Sequence, residues 1–130
     1  MKTSALYAFC LAALLAGPST ANATASPADA TTCDGEDDCR IKWQRAEQWV
    51  RDHSKWPIQK VTETVIETER QRFRNYASLY YRITKERTPT GQTLIRFDAG
   101  CLPSVHCNPD PAAARAAFIS HVMARKPDGQ

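Results

Sequence analysis

Two pairs of cysteines with the same spacing are the side chains most able to do chemistry in this sequence. Cys33 and Cys39 enclose five residues, and Cys101 and Cys107 enclose another five. This spacing is longer than that of a usual zinc knuckle, and thiols are oxidised in an exported protein, so the pairs predict disulfides rather than a metal site. Three pairings are possible. We favour the local one, Cys33 with Cys39 and Cys101 with Cys107, because close neighbours meet first during oxidative folding.

The N-terminus has the pattern of a cleaved secretory signal peptide. Lys2 supplies a positive charge, residues 5–17 form a short apolar run, and small residues lead to a cleavage site after Ala23. Cleavage removes Cys10 and leaves an even number of cysteines. A lipid anchor on Cys10 is the alternative, but Phe9 is too bulky for such a site. We therefore expect an exported protein, periplasmic or extracellular, that is not inserted in a membrane.

Carboxylates and histidines provide only weak candidates for catalysis. Glu67 and Glu69 would point to one side of a strand about 7 Å apart, which is near the separation of a water-activating pair in glycosidases. The third candidate, His106, lies between the second pair of cysteines. The histidines and serines match no metal-binding or nucleophile motif. We predict no catalytic residue, metal or cofactor, and keep as the alternative a small cell-envelope hydrolase that acts on cell-wall polymer.

A set of alternating arginines is the first candidate for binding a partner. Arg70, Arg72 and Arg74 would project to one side of an extended chain. We expect Arg82 to lie on the same side, together with Lys60 and Lys85. Such a cluster fits phosphate, lipopolysaccharide or an acidic protein surface. The alternative is a solvated connection whose charges only keep the chain soluble.

The loop between Cys101 and Cys107 is the second candidate. A loop made rigid by a disulfide costs little ordering entropy when it binds, a property that small protease inhibitors use. Leu102, Val105 and His106 would then face the partner. The alternative is a tight connection between a strand and a helix, with Leu102 and Val105 packed inward.

The composition is that of one small domain. The full chain has 130 residues and a formal net charge of +3, which is too weak an excess to imply an anionic partner. Four segments are predicted: a signal peptide (1–23), a flexible acidic leader (24–37), a single domain (38–126) and a disordered tail (127–130). The second predicted helix does not begin with the basic residues that bind nucleic acid, so no nucleic-acid partner is expected.

Hydrophobic periodicity predicts a two-layer α+β domain in the order α-β-β-β-α. A helix should cover 38–54, one strand 58–68, and a hairpin two further strands that alternate about Leu79, Tyr81, Ile95 and Phe97. Asp110 and Pro111 should begin a second helix. The predicted fold is thus a three-stranded antiparallel sheet with two helices, stapled by the disulfides.

These features favour a small exported binding protein. We expect it to bind a partner protein, as an enzyme inhibitor or an immunity protein does. Besides the hydrolase, a subunit of a secretion or surface assembly is an alternative.

Overall fold

The computed structural model describes residues 29–70 and 77–125. The predicted signal peptide, Arg72, Arg74 and the predicted tail lie outside the described residues. In chain order the elements are β1 (Ala30–Cys33), α1 (Gly35–His53), β2 (Ile58–Val61), β3 (Val65–Thr68), β4 (Tyr80–Arg87), β5 (Thr93–Gly100) and α2 (Pro111–Met123). The predicted α+β class, the two helices and the antiparallel sheet are confirmed. The predicted number of strands is wrong, because the sheet has five strands rather than three.

The first additional strand, β1, lies in the segment assigned to a flexible leader. It pairs antiparallel with β5, with Thr31 opposite Ile95 and Cys33 opposite Thr93. Thr31 and Cys33 are buried. A four-residue strand of small and polar residues has no apolar alternation by which the sequence could predict it. The strand is stabilised by its pairing with β5, which is distant in the sequence.

The second additional strand arises because residues 58–68 form a hairpin rather than one strand. The Thr62 hydroxyl oxygen accepts hydrogen bonds from the N–H groups of Thr64 (3.2 Å) and Val65 (2.9 Å). The Thr62 N–H in turn donates to the Val65 carbonyl (2.8 Å). A turn held by a threonine hydroxyl needs neither glycine nor proline, so it leaves no break in the alternating sequence. β3 buries Ile66 and Thr68, which shows which of its faces meets the core.

The five strands lie in the order β1-β5-β4-β3-β2, with every neighbouring pair antiparallel. The predicted hairpin of β4 and β5 is confirmed, with Tyr80 opposite Gly100 and Arg87 opposite Thr93. Its turn is closed by a hydrogen bond from the Gly91 N–H to the Thr88 carbonyl (2.9 Å). Gly91 has a φ of +86°, which glycine adopts without steric strain.

Both helices contribute to the core on one face of the sheet. Trp49 of α1 makes edge-on contacts with Tyr81, Phe97 and Phe118, at ring-centroid distances of 5.3, 5.7 and 5.4 Å. Phe118 of α2 is fully buried. Truncating a buried aromatic side chain to alanine typically costs about 3–5 kcal/mol, so this cluster is a major part of what holds the layers together.

The other face of the sheet carries charges that alternate in sign from strand to strand. Lys60, Glu67, Arg82 and Asp98 lie opposite one another in register across β2 to β5. Opposite charges on neighbouring strands attract, so this row supports the strand register. None of the helices in 29–70 and 77–125 is long and apolar enough to cross a membrane.

Both helices begin with carboxylates. The predicted N-cap of α2 is confirmed, since the Asp110 carboxylate accepts from the N–H groups of Ala112 (3.0 Å) and Ala113 (3.1 Å). α1 begins at Gly35, three residues before its predicted start. Within its first turn, the Asp38 carboxylate accepts from the Asp34 N–H (2.8 Å).

Candidate functional site

Several element ends meet at one end of the molecule, where α1, β3 and β5 finish and β4 and α2 begin. Three hydrogen bonds tie them together. The Asn108 N–H donates to the Ala77 carbonyl (2.9 Å), the Trp56 indole N–H to the Ser78 carbonyl (3.3 Å), and the Tyr81 N–H to the hydroxyl oxygen of buried Thr68 (2.9 Å). We call the surface made here by Arg70, Tyr80, Gly100 and residues 101–107 the loop end.

The loop of the loop end is closed by the Cys101–Cys107 disulfide. The structure contains the two predicted local disulfides, since Cys33 is also bonded to Cys39. Within the loop the Val105 N–H donates to the Leu102 carbonyl (3.0 Å), which forms a tight turn. Both cysteines of the loop pack against the core. The loop is therefore attached to the core at each of its ends.

The side chains of this loop differ in burial. Leu102 and Val105 are half-buried, whereas Pro103, Ser104 and His106 are exposed. The loop is thus a connection from β5 to α2 that also presents side chains to solvent. Its exposed tip stands on a disulfide-closed base, so little backbone freedom remains to be lost on binding.

Arg70 reaches the loop through Tyr80. The Arg70 guanidinium lies over the Tyr80 ring, 4.8 Å from the ring centroid. The Tyr80 ring lies in turn over Gly100, the residue that precedes Cys101. A Cβ atom at Gly100 would be 2.8 Å from the Tyr80 hydroxyl oxygen and 3.1 Å from Cε1 of the Tyr80 ring. Only glycine, which has no Cβ atom, lets the ring lie this close to the backbone.

Arg70, from the first binding candidate, therefore lies beside the start of the second candidate, the loop. Thirty residues of sequence separate Arg70 from Gly100, yet the stack of guanidinium, phenol and glycine places them side by side. Arginine and tyrosine are the residue types most often found at energetic centres of protein interfaces. Sequence reasoning missed Tyr80 as a site residue, because its role depends on its pairing with Gly100.

Of the other predicted basic residues that the structure describes, Arg82 and Lys60 lie on the open face of the sheet with Tyr80, and Lys85 does not. Arg82 lies in the charged row between Glu67 and Asp98, and Lys60 lies in the same row. The Lys85 ammonium is on the helix side of the sheet, 5.0 Å from the centre of the Trp43 ring. Of the predicted cluster, Arg70 is the described residue that contacts Tyr80 beside the loop.

The carboxylates and histidine of the hydrolase alternative lie on separate elements. Glu67 is on β3 opposite Arg82, whereas Glu69 follows the strand and donates its N–H to the Pro57 carbonyl (2.9 Å). His106 is on the tip of the loop, exposed to solvent. Over 29–70 and 77–125, no cluster of three or more histidine, cysteine, aspartate or glutamate side chains is arranged to hold a metal ion.

A small apolar pocket of about 400 Å³ adjoins the loop end, between the end of α1 and the start of α2. Trp49, Tyr81 and Pro109 line it, together with alanines of α2. His53 stacks on Trp49 with 4.2 Å between ring centroids, which fixes one side of the pocket. Burial raises the pKa of Tyr81, so its phenol stays neutral at physiological pH.

Over residues 29–70 and 77–125, the fold and this surface define a small, disulfide-bonded α+β protein with an exposed loop that a disulfide closes. Comparison with known proteins finds no family model, curated sequence or solved structure that matches the chain.

Proposed function

We propose that the protein binds a partner protein through the loop end, as an exported inhibitor or immunity protein does. The observation that carries the proposal is the continuous surface from Arg70 through Tyr80 and Gly100 to the disulfide-closed loop. In this surface the Arg70 guanidinium lies on the Tyr80 ring, and the loop is already ordered by its disulfide before a partner binds. Affinity in protein complexes depends on such preorganised anchors more than on buried area.

Export is part of the proposal. Disulfides persist in oxidising compartments, and the two in this chain indicate that it works in one. The apolar run near the N-terminus supports delivery through a signal peptide. The partner is then a protein of the cell envelope or of the surrounding medium.

The test begins by identifying the partner. The oxidised protein is immobilised and exposed to envelope and secreted fractions of the cells that produce it, and the captured proteins are identified by quantitative mass spectrometry. Arg70→Ala and His106→Ala, which removes an exposed side chain of the loop tip, are used in parallel, with Arg87→Ala as the matched control. Arg87 is also an exposed arginine, but it lies at the opposite end of β4 from Tyr80.

The expected result is a protein captured by the wild type and by Arg87→Ala, and lost with both loop-end variants. The purified partner should then bind in a one-to-one complex with a dissociation constant below about 1 μM. The proposal fails if no captured protein distinguishes the loop-end variants from Arg87→Ala. If the wild type hydrolyses peptidoglycan and Glu67→Gln abolishes that activity, the result would favour the hydrolase instead.

A further inference from the structure

A second candidate site lies at the end of the molecule away from the loop end. A cleft of about 1000 Å³ separates the first turns of α1 from the turn of the β4–β5 hairpin. The Cys33–Cys39 disulfide forms part of its wall, and Trp43 lies in its lining with 8% of its surface exposed. The strands run about 25 Å between the two ends, so this cleft is separate from the proposed protein-binding surface.

Trp43 and Lys85 form a fixed, polar floor for the cleft. The Trp43 indole N–H donates to the Thr62 carbonyl (3.1 Å), which holds the ring in one orientation. The Lys85 ammonium lies 5.0 Å from the ring centre, where the negative face of the indole attracts it. Across the described ranges, no carboxylate lies within ion-pair distance of Lys85. Its N–H donors are therefore available to a ligand.

The charges around the cleft balance. Its lining includes three acidic and three basic side chains: Asp34, Glu36, Glu63, Arg40, Lys85 and Arg87. A balanced lining does not concentrate a strongly charged ligand. Two amides, Gln44 and Gln92, add donors and acceptors between the charges. A hydroxyl group both donates and accepts hydrogen bonds, so a ligand rich in hydroxyl groups matches such a lining.

An extended peptide fits the cleft less well. A peptide that binds by strand addition needs an unpaired strand edge. β4 and β5, which border the cleft, pair with each other from Arg87–Thr93 to Tyr80–Gly100. On the neighbouring edge strand β1, the Lys42 ammonium already donates to the Thr32 carbonyl (2.8 Å).

We propose that this cleft binds a neutral saccharide chain. The sugar hydroxyl groups would accept hydrogen bonds from Lys85 and exchange hydrogen bonds with Gln44 and Gln92. The buried Trp43 ring would hold the Lys85 ammonium in place beneath the ligand. The role is binding, and no reaction step is assigned to the cleft. The proposal is independent of the partner that binds at the loop end.

Titration of the oxidised, ¹⁵N-labelled protein by NMR tests the proposal. The probes are cellotetraose, maltotetraose and chitotetraose, each added to about 10 mM, which is enough to saturate a site with a dissociation constant of about 1 mM. At least one of them should shift the Trp43 indole and Gly91 amide signals along a saturating curve. Lys85→Met should weaken that binding by about tenfold or more. Lys60→Met, the same substitution in the charged row of the open sheet face, should leave it unchanged.

Three results would each overturn the proposal. The first is that none of the three tetramers shifts the Trp43 and Gly91 signals. The second is that Lys85→Met binds the tetramer as tightly as the wild type, and the third is that the shifted signals lie away from the cleft. Saturation of the cleft by tetragalacturonate or by a tetrapeptide, without binding of the neutral tetramers, would also overturn it. These outcomes leave the loop-end proposal untouched, because Arg70 and the loop lie outside the cleft.

Discussion

Replacing Cys101 and Cys107 together with serine removes the covalent base of the exposed loop. The two disulfides of the chain allow a matched comparison, because each closes a loop with a sequence separation of 6. In the chain-entropy model a loop of this length contributes about 2 kcal/mol to the free energy of unfolding. On entropy alone, the Cys33→Ser/Cys39→Ser variant should lose the same amount.

Burial separates the two variants. Cys33 is 3% exposed, whereas Cys101 and Cys107 are half-buried. A serine hydroxyl at position 33 would be buried without a prepared partner, which costs a further 1–3 kcal/mol or so. We therefore expect a loss of about 2 kcal/mol for the Cys101/Cys107 variant and about 3–5 kcal/mol for the Cys33/Cys39 variant. For a domain of this size the first corresponds to a fall in melting temperature of about 8–16 °C.

Urea unfolding followed by tryptophan fluorescence measures both losses, since Trp49 lies in the core. Thiol labelling of the unfolded, oxidised wild type should first find the four cysteines bridged. The reasoning about burial is refuted if the Cys33/Cys39 variant loses no more than the Cys101/Cys107 variant. If the Cys101/Cys107 variant has the same urea midpoint as the wild type, the Cys101–Cys107 disulfide does not stabilise the fold.

Three further predictions concern single side chains. Asp110→Ala should lower the free energy of unfolding by about 1 kcal/mol, because the start of α2 loses its cap; an unchanged urea midpoint would contradict this. Gly100→Ala should push the Tyr80 ring off its rotamer at a cost of about 0.5–1.5 kcal/mol, and ring-current shifts at residue 100 that match the wild type would exclude such a movement. Hydrogen bonds from Lys42 and a backbone N–H hold the pKa of Asp38 below its ordinary 3.8, so its contribution to stability is complete above pH 3.8 and is lost as the pH falls through the lowered value. Urea midpoints should therefore show Asp38→Asn less stable than the wild type at pH 7, with the difference shrinking below about pH 4; a difference that is constant with pH would disprove the assignment.

The parts of the fold that sequence reasoning predicted have strong local patterns. β4 and β5 alternate about Tyr81, Ile83, Ile95 and Phe97, and a proline and a glycine mark the turn between them. Asp110 followed by Pro111 is a local signal for the start of a helix. In contrast, β1 is recognisable only by its pairing with β5, and the β2–β3 turn depends on the hydroxyl of Thr62. Neither signal is visible in the periodicity of the chain.

The candidate site also has a part that local sequence predicts and a part that only the tertiary structure reveals. The spacing of the cysteines predicts both bridges, because disulfide formation between near neighbours is a local event. The joining of Arg70 to the loop is a tertiary effect that requires the β4–β5 register and a missing side chain at Gly100. Without that register, Arg70 and the loop remain two separate candidates, and Tyr80 is one more residue on the solvent side of a strand.

The central claim is that Arg70, Tyr80 and the loop act together as one binding surface. Isothermal titration calorimetry of the purified partner against the wild type, Arg70→Ala, His106→Ala and Arg87→Ala tests it most directly. The account predicts a dissociation constant raised at least about tenfold by each of the two loop-end variants and unchanged in Arg87→Ala. It is contradicted if either loop-end variant binds the partner with the wild-type dissociation constant, or if Arg87→Ala weakens binding as much as the loop-end variants do.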